Sequence, residues 1–125
     1  MAATGGAGRG EMVREHVSDL AAALERCAER CEDALGSYVG RNPDARSSRF
    51  GVNALLAAAA MTTAAQRLIE GGDAARLALH IASTLARDAA ASARSAGLDD
   101  DALLIATECE RIAARCDQVL AAGRA

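Results

Sequence analysis

The chain has no lysine and no tryptophan, and only one proline, one tyrosine and one phenylalanine among its 125 residues. Aromatic residues make up 2% of it and apolar residues 51%, so a core has to be built from Ala, Leu, Ile and Val. That favours closely packed helices over a strand-rich fold. All 14 basic residues are arginines, set against 17 acids, for a formal charge of -3. This balance lacks the basic footprint of a nucleic-acid binder. The opening residues hold no apolar core of the roughly 7 to 15 residues that a secretory signal needs. No apolar run approaches the roughly 20 residues of a membrane span. The expectation is a cytoplasmic chain with no nucleic-acid or membrane partner. Thiols stay reduced there, so the four cysteines are expected to be ligands, reactive thiols or core residues rather than disulfides.

The length suits one domain that buries a core without disulfide staples. The Gly- and Ala-rich stretch Met1–Gly10 reads as a disordered tail. Residues 11–125 read as all-α, an antiparallel up-down-up-down four-helix bundle. The first helix is expected from about Glu11 to Tyr38, because Val13, Val17, Leu20, Leu24, Cys27, Cys31 and Leu35 recur every three or four residues. Gly36, Gly40, Asn42 and Pro43 interrupt it, and Ser47 or Ser48 offers an N-cap to the second helix.

That second helix ends at Gly71 and Gly72, with an inward row read as Leu55, Ala58, Thr62, Ala65 and Ile69. Asp73 is read as the cap of the third helix. The inward face there is read as Leu77, Ile81, Thr84, Leu85 and Ala89, with Asp88 near its middle. Gly97 and the acids Asp99 to Asp101 mark the start of the fourth helix, whose seam is Ile105, Cys109, Ile112, Cys116 and Val119. Short connections after the second and third helices favour antiparallel neighbours.

All four cysteines continue apolar seams of the first and fourth helices, so their thiols point into one core. At about 1.5 Å of rise per residue, Cys27 lies about 16 Å from the end of its helix and Cys109 about 15 Å from the start of the other. They are expected at one level, with Cys31 one turn nearer the same end. Cys116 lies about 10 Å further along, level with His80, with Met61 and His16 not far away.

Thiolate and thioether ligands select Cu(I) among intracellular metals and satisfy it in linear or trigonal geometry, whereas zinc asks for four ligands. The spacing excludes a zinc ribbon and a Cys-x-x-Cys redox motif. Neither His16 nor His80 has a glutamate three residues before it, which argues against a di-iron carboxylate site.

Together these residues resemble the copper storage family of four-helix bundles, whose helices carry inward Cys-x3-Cys-x2-Cys-x3-Cys rows. The corresponding row in the first helix falls on Leu20, Leu24, Cys27 and Cys31. In the second helix Leu55, Leu56, Ala59 and Gly72 match the family pattern, with Ala58 and Thr62 at its cysteine positions. The third helix places Ile81, Thr84, Asp88, Ala91 and Ser95 in the row, and the fourth places Cys109, Ile112 and Cys116. Family members store many Cu(I) ions along a thiol-lined core and carry His and Met where copper enters. The resemblance therefore implies a cysteine-depleted member that binds little Cu(I), or none, with His80 and Met61 as an echo of that mouth.

The expected function is low-capacity Cu(I) sequestration or buffering through Cys27, Cys31, Cys109 and Cys116, with His80, Met61 and His16 as weaker ligands and no catalysis. Two alternatives stay open. One is a degenerate, metal-free helical scaffold in which the cysteines are small buried hydrophobes and the helical faces serve a partner or a homo-oligomer. The other is a histidine phosphotransfer bundle using His80, against which stands the absence of the lysine that usually follows such a histidine.

Overall fold

The structure, a computed structural model, describes residues 2–97 and 99–122, with side chains from Val17 onward. The helices are α1 (Ala2–Arg41), α2 (Arg49–Glu70), α3 (Asp73–Ser95) and α4 (Asp100–Ala122), with a 3₁₀ turn at Pro43–Ser47 between the first two. No strand occurs among the described residues. The tail expected over 1–10 and the side chain of His16 lie outside the residues described at side-chain level.

Helix α1 packs against α2 and α4, and α3 packs against the same two, which is the square of an up-down-up-down bundle. The ends are set by local chemistry. Helix α1 continues through Gly36 and Gly40 to Arg41, past the expected stop at Tyr38. A glycine weakens a helix by only about 1 kcal/mol relative to Ala. Pro43 does stop it, because its ring drives the preceding Asn42 out of the helical region, to φ -134° and ψ 76°. Arg41 then reaches across to Asp99 and Asp101, each at 2.8 Å, and ties the end of α1 to the start of α4.

Ser48 is the N-cap of α2, its Oγ accepting from the Gly51 amide at 3.1 Å. Gly51 is required there: a Cβ would stand 2.2 Å from the Ala45 carbonyl oxygen of the 3₁₀ turn. Gly71 and Gly72, at φ 79° and 91°, make the turn into α3. Gly72, and not Asp73, is the cap residue of α3, and Asp73 is its first helical residue. Asp99 starts α4 by accepting from the amides of Asp101 and Ala102 at 2.9 and 3.1 Å.

The core holds Leu20, Leu24, Met61 and Ile105 with little or no exposure, and around them mainly alanine and cysteine. The buried face of α2 is Phe50, Gly51, Ala54, Ala57, Ala58, Met61, Ala64, Ala65 and Leu68. Leu55 and Ile69, expected inside, are 51% and 72% exposed. In α3 the buried face is Leu79, Ala82, Ser83, Ala86, Ala89, Ala90 and Ala93. Leu77 is 63% exposed, and Ile81, Thr84 and Asp88 also face solvent. Both helices are turned so that alanines face inward, because only small side chains let neighbouring backbones approach closely enough to fill the space between them. Helix α2 is long and apolar enough, by length and composition alone, to cross a membrane; here nine of its residues are buried within the bundle.

Candidate functional site

The extra turn at the end of α1 resets the levels of the thiols. Counted from Arg41, Cys31 is about 15 Å down α1, and counted from Asp100, Cys109 is about 14 Å down α4. Cys31 and Cys109 are thus the facing pair, with their Sγ atoms 3.8 Å apart in a hydrogen bond. Cys27 lies one turn further along α1 and points its thiol at the Glu108 carbonyl oxygen, 3.6 Å away. All three are buried. Cys116 is fully buried as well, but it stands two turns along α4, about 10 Å from Cys109.

Cys27, Cys31 and Cys109 titrate as a group. Cys31 is held well below the ordinary thiol range, first by the thiol of Cys109 and then by that of Cys27, against the effect of burial. Cys109 is pushed up because it supports Cys27 and Cys31 and is itself desolvated. Cys27 also goes up: what it gains from Cys109 is outweighed by Cys31 and by burial. The cluster therefore gathers its first negative charge at Cys31 and resists losing further protons. Cys116 is different in kind, pushed up to about 11 by burial and then by the Asp117 carboxylate.

The separation of the facing pair bears on what it can hold. With metal–sulfur bonds of about 2.3 Å, two thiolates stand about 4.0 Å apart on a trigonal ion and about 4.6 Å apart on a linear one. The observed 3.8 Å lies nearer the trigonal separation than the linear one. No group of three or more His, Cys, Asp or Glu is already arranged around a metal position among the described residues. The donor set is soft, buried and short of the four ligands that zinc prefers.

Of the weaker candidates, Met61 and His80 are described at side-chain level. Met61 is fully buried in the face of α2, a core position. His80 is exposed on α3, and its charge is a minor contributor to the Asp117 carboxylate's lowered pKa. Asp117 is held below the usual carboxylate range by Arg87, and accepts from Ser83 Oγ at 2.8 Å. That carboxylate beside His80 is an unfavourable neighbour for a phosphorylated imidazole.

Two concavities stand out among the described residues. The larger, about 800 Å³, lies beside the 3₁₀ turn between α2 and α3, is lined by Tyr38, Asp44, Arg49 and Asp88 among others, and contains no thiol. The smaller, about 200 Å³, lies between α1 and α4 and has Cys27 in its lining. Arg26, Arg30, Arg111 and Arg115 surround it. None of the expectations above includes this rim. The signal was available: same-charge pairs at i, i+4 flank the cysteine seam on both helices. Compared with known families, curated proteins and solved structures, the chain has no match.

Proposed function

We propose that the chain binds Cu(I) at Cys27, Cys31 and Cys109, as a low-capacity store or buffer of the reduced ion. The observation that carries this reading is the 3.8 Å approach of the Cys31 and Cys109 sulfurs, in a core that also holds Cys27 one turn away. The four-helix architecture fits the resemblance to copper storage proteins, and the cysteine count limits the capacity to about one ion at the triad. Binding exchanges protons for the ion: Cu(I) bonds to each sulfur and the thiol protons leave. Once bound, the ion is held in a core that excludes water, and no bond of a substrate is made or broken.

Cys27 and Cys109 hold their protons tightly, so binding releases about two protons per ion and affinity falls steeply as pH falls. The test is an anaerobic Cu(I) titration of the reduced protein against a chromophoric chelator, with thiol protection counted alongside. The expected result is uptake of about one ion, lost when Cys27 and Cys31 are both replaced by serine while helicity is retained. Failure of the wild-type protein to compete with the chelator would leave the cysteines as core packing and favour the scaffold reading.

A further inference from the structure

We infer that the arginine-rimmed cleft between α1 and α4 is the loading port of the thiol cluster, and that it takes Cu(I) carried by a small, carboxylate-bearing thiol. This rests on the Cu(I) reading above and adds the route and the chemistry of the donor.

Position is the first argument. The cleft holds about 200 Å³ and has Cys27 in its lining, whereas Cys31 and Cys109 are not part of it. Cys27, buried with 3% exposure, is therefore the cluster's thiol nearest the opening. Its own hydrogen bond runs to the carbonyl of Glu108, another lining residue, and so ties the thiol to the floor of the cleft.

Charge is the second. The chain as a whole carries -3, yet four arginines and a single carboxylate, Glu108, surround this opening. Glu108 is committed to Arg30 at 3.0 Å. Among the described residues Arg26, Arg111 and Arg115 form no ion pair. Arg26 with Arg30, and Arg111 with Arg115, are like charges at i, i+4, an arrangement that weakens each helix. A rim of three uncompensated guanidiniums is a binding surface for an anion, and carboxylates pair with it in fork geometry.

The donor follows from the chemistry of the ion. Thiolates select Cu(I), and a Cu(I) ion held by two thiolates is already an anion before its carboxylates are counted. The cleft admits the sulfur–copper end of such a complex and leaves the carboxylates at the arginine rim. In the transfer step a Cu(I)–Cys27 sulfur bond forms and one carrier sulfur–Cu(I) bond breaks. The proton of the Cys27 thiol goes to the departing carrier thiolate. In the second exchange Cu(I) bonds to the Cys31 thiolate and to the Cys109 sulfur, the remaining carrier sulfur–Cu(I) bond breaks, and the Cys109 proton goes to that departing carrier thiolate; copper remains Cu(I) throughout and no electron moves.

The experiment compares two donors on the full chain: the Cu(I)–glutathione complex, which is anionic, and the Cu(I)–acetonitrile complex, which is cationic. The variant replaces the three unpaired arginines, as Arg26→Gln, Arg111→Gln and Arg115→Gln together, with helicity checked by circular dichroism. The expected result is transfer from glutathione at least about tenfold slower at low ionic strength, with most of its salt dependence gone. Transfer from acetonitrile and the final stoichiometry stay the same. Equal slowing from both donors, or no slowing from glutathione, would overturn the port.

A copper-free measurement separates this from the Cu(I) reading. S-methylglutathione, which has no free thiol, is expected to shift the amide resonances of Cys27 and Arg115 in the wild type and not in the variant. No such shift in the wild type would overturn the port even if copper binds. Shifts without copper uptake from either donor would overturn the Cu(I) reading and leave the anion cleft standing.

Discussion

The bundle contrasts two pairs of helices. Where α1 meets α4, Cys27, Cys31 and Cys109 converge and four arginines rim the outer edge. Where α2 meets α3, the buried faces are mostly alanine, with Phe50, Met61, Leu68 and Leu79 as the larger members, and hold no sulfur apart from that thioether. Alanine against alanine draws backbones together and leaves no atom able to bind anything. Cysteine is only slightly larger, packs almost as well, and adds a polarizable donor that can lose a proton. One side of the molecule is thus built for packing alone, and the other combines packing with the means to ionise.

The contrast is broken most forcefully at Met61. If it belongs wholly to the packing side, Met61→Ala destabilises the fold by about 2–5 kcal/mol in urea titrations, whereas Met61→Leu costs less than about 1.5 kcal/mol. Neither changes copper stoichiometry. A copper deficit in the Leu variant would make the thioether a ligand and erase the division between the two sides.

A smaller effect sharpens the difference between Cys116 and the triad. Cys116 has its pKa raised from 9.0 to about 11, so between those values the folded state holds a proton that the unfolded chain releases. Its contribution is fully present below pH 9.0 and is lost as pH rises towards about 11, amounting at most to about 2–3 kcal/mol. Measured stability of the wild type relative to Cys116→Ala should fall over that range. A flat difference would mean that Cys116 is not desolvated as its burial implies. Copper stoichiometry should be the same in both.

The smallest effect concerns the surface. Asp117→Asn removes the ion pair with Arg87, whose partners are 53% and 45% exposed, and is expected to cost under about 1 kcal/mol at low salt and less at high salt. A larger loss would show that Ser83, buried and bonded to the same carboxylate, depends on it.

Much of this was legible from residue order. The heptad-like run from Leu20 to Leu35 and the seam from Ile105 to Cys116 are inward as read, because each has one apolar stripe and charged residues elsewhere. Ser48, Gly71, Gly72 and Gly97 punctuate the chain where their chemistry indicates. The faces of α2 and α3 are as read only in part: Ala58, Ala65 and Ala89 are buried, whereas Leu55, Thr62, Ile69, Leu77, Ile81 and Thr84 are exposed. Each carries two apolar stripes, one of large residues including Leu55, Ile69, Leu77 and Ile81, and one of alanines. Hydropathy favours the large stripe; the structure buries the small one.

Sequence alone determined that the chain is four antiparallel helices and that its cysteines lie on two inward seams, since periodicity and turn residues act locally. Only the tertiary structure decided which stripe of α2 and α3 turns inward, that Cys31 rather than Cys27 faces Cys109, and that four arginines from distant positions close around one opening. Those outcomes depend on how near two helices can come and on where each one stops. Both are properties of the packed pair, set by side-chain volume and by contacts such as Arg41 with Asp99 and Asp101, and neither helix carries them by itself.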